Sequence, residues 1–152
     1  MSPRTQQRTG PFDARGGSGA AHRRRTLGGV PEEPEPLPPV VWVMAEHQGT
    51  GLWDRDHERY GDVDADDLGL SAGLTARLGD WVRRFEEHAG RWDWGPPPRT
   101  QRAADEAEWA AWRREGLALA FAVQDELDAL GHDVEVIYED DDLRPVRQRR
   151  GT

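Results

Sequence analysis

The sequence predicts a small single-domain α+β fold. A two-to-three-stranded sheet packs on a helical hairpin in the order β-(β)-α-α-β, behind a long disordered N-terminal tail. Three observations carry this. All seven tryptophans lie between Trp42 and Trp112, so the segment that must bury large apolar surface begins near residue 39. β-rich runs stand at both ends of that segment, at Val40–Ala45 and Val134–Tyr138. Between them, two long stretches repeat apolar residues at the period of a helix face.

Residues 1–38 are rich in Gly, Pro, Ser, Thr, Gln and Arg, with Phe12 as their one aromatic residue. Such a segment buries too little apolar surface to offset chain entropy, so a basic, Pro-rich disordered tail is expected. It closes in Pro31-Glu32-Glu33-Pro34-Glu35-Pro36-Leu37-Pro38-Pro39, an extended spacer. A second account of this stretch is that translation starts further downstream, near Met44. Residues 39–143 are expected to form an acidic, Trp-rich domain, and residues 144–152 a basic, disordered C-terminus.

Val40-Val41-Trp42-Val43-Met44-Ala45 is β-branched, aromatic and apolar on both faces, which predicts a central buried strand. Gly49-Thr50-Gly51 is turn chemistry, and Leu52-Trp53-Asp54 follows as a short strand or ordered loop. Asp54 to Asp67 reads as a polar, acid-rich loop. Ser71 then caps a helix whose stripe is Leu70, Leu74, Leu78, Trp81, Val82 and Phe85, ending near Gly90. Trp92-Asp93-Trp94-Gly95-Pro96-Pro97-Pro98 cannot be helical and predicts a rigid, exposed connection. A second helix runs from about Thr100 to Leu130 and stops at Gly131; its stripe includes Trp109, Trp112, Gly116, Leu119, Val123 and Leu127. Asp133 to Tyr138 alternates as a final strand. It is expected to pair with the first strand, with both helices on one face.

Cysteine is absent, so disulfides and thiolate metal sites are excluded. All 20 basic residues are arginine and asparagine is missing, a bias of GC-rich genes that weakens any reading of Arg as a choice for phosphate binding. Charge is uneven. Residues 1–38 hold six arginines against Asp13, Glu32, Glu33 and Glu35; residues 39–143 hold ten arginines against 25 acids; residues 144–152 hold four arginines and no acid. The middle segment therefore repels phosphate and attracts basic partners. No apolar run approaches a membrane span. His22-Arg23-Arg24-Arg25 lacks the apolar segment of an export signal behind it, which points to a cytoplasmic protein.

Several stretches together resemble a family of small, acidic, uncharacterised proteins common in actinobacteria. These are the apolar first strand, Gly51-Leu52-Trp53-Asp54, the run from Asp62 to Ser71, Leu74, Arg77, Leu78 and Trp81, Glu115 to Ala120, and Val134 to Tyr138. The resemblance covers about residues 40–139. It implies kinship of fold and carries no established activity.

No catalytic motif survives inspection, and no catalytic or cofactor-binding residue is assigned. Asp62, Asp64 and Asp66 have the opening spacing of a calcium loop, but Asp67 and Gly73 stand where that loop needs Gly and Glu. They remain weak metal candidates beside the reading of a solvated loop that places negative charge before the first helix. Glu46 and His47 end the first strand, where sites often lie, although an ordinary loop entry is the plainer account. Trp92, Asp93, Trp94 and Trp53 fall outside the helical stripes. They are the candidate partner-binding residues, because an exposed Trp beside a rigid loop is a typical interface anchor.

The preferred reading is a non-enzymatic protein-interaction module that binds a basic protein through an acidic, Trp-bearing surface, in the manner of an immunity or antitoxin-like inhibitor. Two alternatives stay open. One is a small metal-dependent enzyme using Glu46, His47 and the Asp62–Asp67 region. The other is a nucleic-acid accessory protein acting through Arg-rich tails. The domain itself is not expected to bind nucleic acid, and no cofactor is expected.

Overall fold

β1 (Val40–Val43) lies at the centre of a four-stranded sheet of order β3-β2-β1-β4, with β2 (Leu52–Asp54), β3 (Gly61–Asp62) and β4 (Glu135–Tyr138). This computed structural model describes residues 35–90 and 99–151. The expectations for residues 1–34 and for Trp92, Asp93 and Trp94 fall outside the described residues. β1 pairs with β2 in antiparallel fashion and with β4 in parallel, and β2 pairs antiparallel with β3. A parallel pair needs a long crossover. Here it contains α1 (Ala72–Gly90) and α2 (Arg99–Ala129).

The expected class holds, with first and last strands paired, but the sheet has four strands rather than two or three. β3 falls inside the stretch read as a loop. It has two residues, neither β-branched, and Gly61 and Asp62 stand in register opposite Asp54 and Trp53.

Both helices cover one face of the sheet. Val41, Val43, Leu52, Val136 and Tyr138 turn inward to meet Leu74, Leu78, Trp81 and Val82 of α1 and Leu119, Ala120, Val123 and Leu127 of α2. Removing these side chains from water is the main stabilising term, about 1.5–3 kcal/mol for each fully buried large aliphatic side chain. β1 was expected to be buried on both faces. It alternates instead: Val41 and Val43 are buried, while Val40 and Trp42 are half-buried.

The helix boundaries follow their caps. The Leu74 amide donates to Ser71 Oγ at 3.2 Å, which satisfies one orphan donor of the first turn. At the end of α2, the Gly131 amide donates to the Asp128 carbonyl and the His132 amide to the Leu127 carbonyl, each at 3.0 Å. Gly131 adopts φ +76°, the left-handed residue that this double bond requires.

Gln124, fully buried in α2, fastens the free edge of β4. Its Oε1 accepts from the Val136 amide at 2.9 Å, and its Nε2 donates to the Val134 carbonyl at 2.9 Å. The side-chain amide thus stands where a fifth strand would pair, and covers an edge that would otherwise invite another chain.

The basic C-terminus, expected to be disordered, folds in part. Val146–Arg149 forms a short helix, α3, and Val146 is fully buried in the core. Its arginines are matched by acids of the domain. Arg149 pairs with Asp140 at 2.9 Å, Arg147 with Asp128 and Arg150 with Asp125.

Candidate partner-binding surface

Strand alternation gives the sheet a second face that no helix among the described residues covers. Trp42 stands opposite Trp53 of β2 and beside Ile137 of β4, and Trp53 stands opposite Asp62 of β3. One row therefore crosses the whole sheet: Asp62, Trp53, Trp42, Ile137. The three apolar members are half-buried, and Tyr60, whose ring lies 5.9 Å from that of Trp53, is 58% exposed. The Arg55 guanidinium rests 4.4 Å above the Trp42 ring, a cation–π contact. The indole N–H of Trp53 is buried without an acceptor among the described residues. Of the residues singled out as partner-binding, Trp53 is the one that the structure places, and it lies on this face.

Trp42, Ile137, Tyr60 and Arg55 were not singled out from the sequence. Trp42 belongs to the run that predicts a central buried strand, so burial rather than exposure is expected of it. The signal for Ile137 was its alternation with Glu135, but its neighbourhood depends on the parallel pairing of β4 with β1.

Two of the three acidic candidates, Asp62 and Asp64, serve local structure. Asp62 Oδ1 accepts from the amide of Thr50 at 3.2 Å and from its hydroxyl at 3.4 Å. Asp64 Oδ1 accepts from the Asp66 amide at 2.9 Å, closing a turn on itself. The ring of His47 packs 5.5 Å from that of Phe85, and the Gln48 amide donates to Glu86, so the β1–β2 loop is tied to α1. Among the described residues, no three His, Asp or Glu side chains are placed to hold a metal ion.

A second aromatic group lies between the helices. Trp81, Trp112, Trp109 and His88 stack successively, with ring centroids 4.4, 4.7 and 4.5 Å apart. The outer members line a cleft with Arg84 and Glu115, of about 130 Å³. That is well below the ~300 Å³ at which small-molecule sites begin. Arg84 bridges Asp80 and Glu115, at 3.1 and 2.6 Å. The Arg83 guanidinium beside Asp80 holds that carboxyl below its usual range. Behind this group, burial pushes the Tyr138 phenol up to about 12, with the Asp140 charge adding to the shift. Its hydroxyl donates to the Arg113 carbonyl at 2.9 Å. No helix among the described residues is long and apolar enough to cross a membrane.

None of the curated proteins matches this chain. A family model described as Serratia CdiI immunity protein-like matches residues 39–141. That range takes in the whole four-stranded sheet and both long helices, and it nearly coincides with the resemblance noted over residues 40–139. The chain belongs to the Serratia CdiI immunity protein-like family.

Proposed function

We propose that this protein is a non-enzymatic inhibitor that binds and neutralises a toxin protein in the cytoplasm, and that the toxin is basic. The family match over residues 39–141 is the observation that carries the reading. Charge supports the choice of partner, since residues 39–143 hold 25 acids against ten arginines. Oppositely charged surfaces speed association and make it sensitive to salt. The small cleft and the local employment of Asp62 and Asp64 favour a binding module over a metal-dependent enzyme. The pairing of Arg144, Arg147, Arg149 and Arg150 with acids of the domain disfavours nucleic-acid binding by the C-terminus.

Deleting the gene while keeping its neighbours tests this. The deletion strain is expected to lose viability in co-culture with its parent and to recover when a plasmid supplies the full chain. Equal survival of deletion and parental cells would sink the proposal.

A further inference from the structure

We infer that the helix-free face of the sheet is the surface that docks the toxin, and that the toxin meets it with arginine or lysine side chains. This rests on the inhibitor reading above.

The apolar content of the face is the first argument. A sheet with one solvated side ordinarily alternates apolar-in and polar-out. This one instead sets Trp42 and Trp53 directly opposite each other on the side away from the helices, with Ile137 next in the same row. Trp, Tyr and Arg are the residues that most often dominate binding energy, and Tyr60 and Arg55 flank the two indoles.

Charge identifies the occupant. Asp62 ends the row at β3, and Glu135 and Glu139 lie two residues either side of Ile137, on the same side of the chain by strand alternation. None of these three makes an ion pair among the described residues. On the helices Asp80, Glu87, Glu115, Asp125 and Asp128 are each matched by an arginine, and Glu86 and Glu126 accept hydrogen bonds from Gln48 and Ser71. Carboxylates thus border the aromatic row with no arginine within ion-pair distance, although the Glu135 charge acts on Arg147 and Thr50 donates to Asp62. Arg55, seated over Trp42, shows that the face accommodates a guanidinium.

Size is consistent with a central contact. Four strands spaced ~4.8 Å apart, of four, three, two and four residues at ~3.3 Å each, present roughly 200 Å². That is about a quarter of the ~800 Å² each partner contributes to a standard interface. The aromatic row would form the centre and the acids its rim.

The co-culture assay gives the test, with variants of the full chain supplied to the deletion strain. Glu135→Lys combined with Glu139→Lys, and separately Ile137→Arg, are expected to lower survival about tenfold or more. Their melting temperatures should stay near wild type. Glu139→Lys alone, at an exposed position, gives the readout if the double variant melts early. Glu106→Lys makes the same charge change on an exposed part of α2 and should protect fully. Full protection by folded sheet-face variants, with wild type also protective, overturns the docking inference alone. Failure of the wild-type copy overturns the inhibitor reading. Sedimentation of the purified chain covers a second occupant: a dimer dissolved by Ile137→Arg would assign the face to another copy and overturn the inference.

Discussion

Trp81 and Trp112 exchange hydrogen bonds: each indole N–H donates to the other residue's backbone carbonyl, at 3.0 and 2.9 Å. Their rings stack 4.4 Å apart and within 6° of parallel. The pair joins α1 to α2 with two directional bonds in addition to apolar contact. Trp112→Phe keeps part of the stack and removes one donor, which should cost about 1–3 kcal/mol. Phe at both positions should show a coupling energy of about 0.5–3 kcal/mol in a double-mutant cycle. Strict additivity in denaturant unfolding would mean that the two bonds contribute independently of each other.

Gly116 marks where α2 passes closest to these rings. A Cβ there would lie 2.5 Å from Trp81 Cζ2 and 2.6 Å from the Tyr138 hydroxyl oxygen. Helix propensity favours Ala over Gly by about 1 kcal/mol, but overpacking a tight core costs about 1–3 kcal/mol. Sterics should win here, because both neighbours are held by hydrogen bonds of their own. Gly116→Ala is expected to lower the urea midpoint, and a raised midpoint would show that the rings yield easily.

Gln124→Leu keeps apolar volume and deletes the amide that serves β4. It would strand the Val136 amide and the Val134 carbonyl, both of which pair with this side chain. Each buried unsatisfied group costs about 1–3 kcal/mol. A loss of roughly 2–5 kcal/mol is expected in equilibrium unfolding, with faster amide exchange at Val136. Unchanged exchange there would indicate that solvent already reaches the edge.

Acid should release α3 before it unfolds the domain. The Arg147 guanidinium holds the Asp128 carboxyl below its ordinary value of 3.8, and Arg144 depresses Asp142 more strongly. A carboxyl depressed in the folded state stabilises it above the unfolded value and loses that contribution as pH falls toward the folded one. Protection of residues 144–150 should therefore be full above about pH 5 and fall as the pH drops below 3.8. Hydrogen exchange of the Val146 region along a pH series measures it, and pH-independent protection would mean that Val146 burial alone anchors the segment.

The helices were legible because their signals are local. The 3–4 spacing from Leu70 to Phe85, the Ser71 cap and Gly131 all act within one or two turns, and the observed helices end within a residue or two of the expected limits. α3 was not legible. Four residues rich in arginine carry no helical stripe, and their order comes from Asp125, Asp128 and Asp140 elsewhere in the chain. Gln124 was likewise silent, since a lone polar residue in a helix shows its partner only once a strand edge arrives beside it.

The sequence by itself determined an acidic α+β domain with tryptophans concentrated in it, because composition and periodicity depend on near neighbours. Only the tertiary structure decided what each tryptophan does. Trp81 is buried because α2 closes over it, whereas Trp42 turns outward although its run looks apolar on both faces. Strand alternation offers either face, and the side on which the helices pack makes the choice. That choice places Trp42, Trp53 and Ile137 in one row opposite the core.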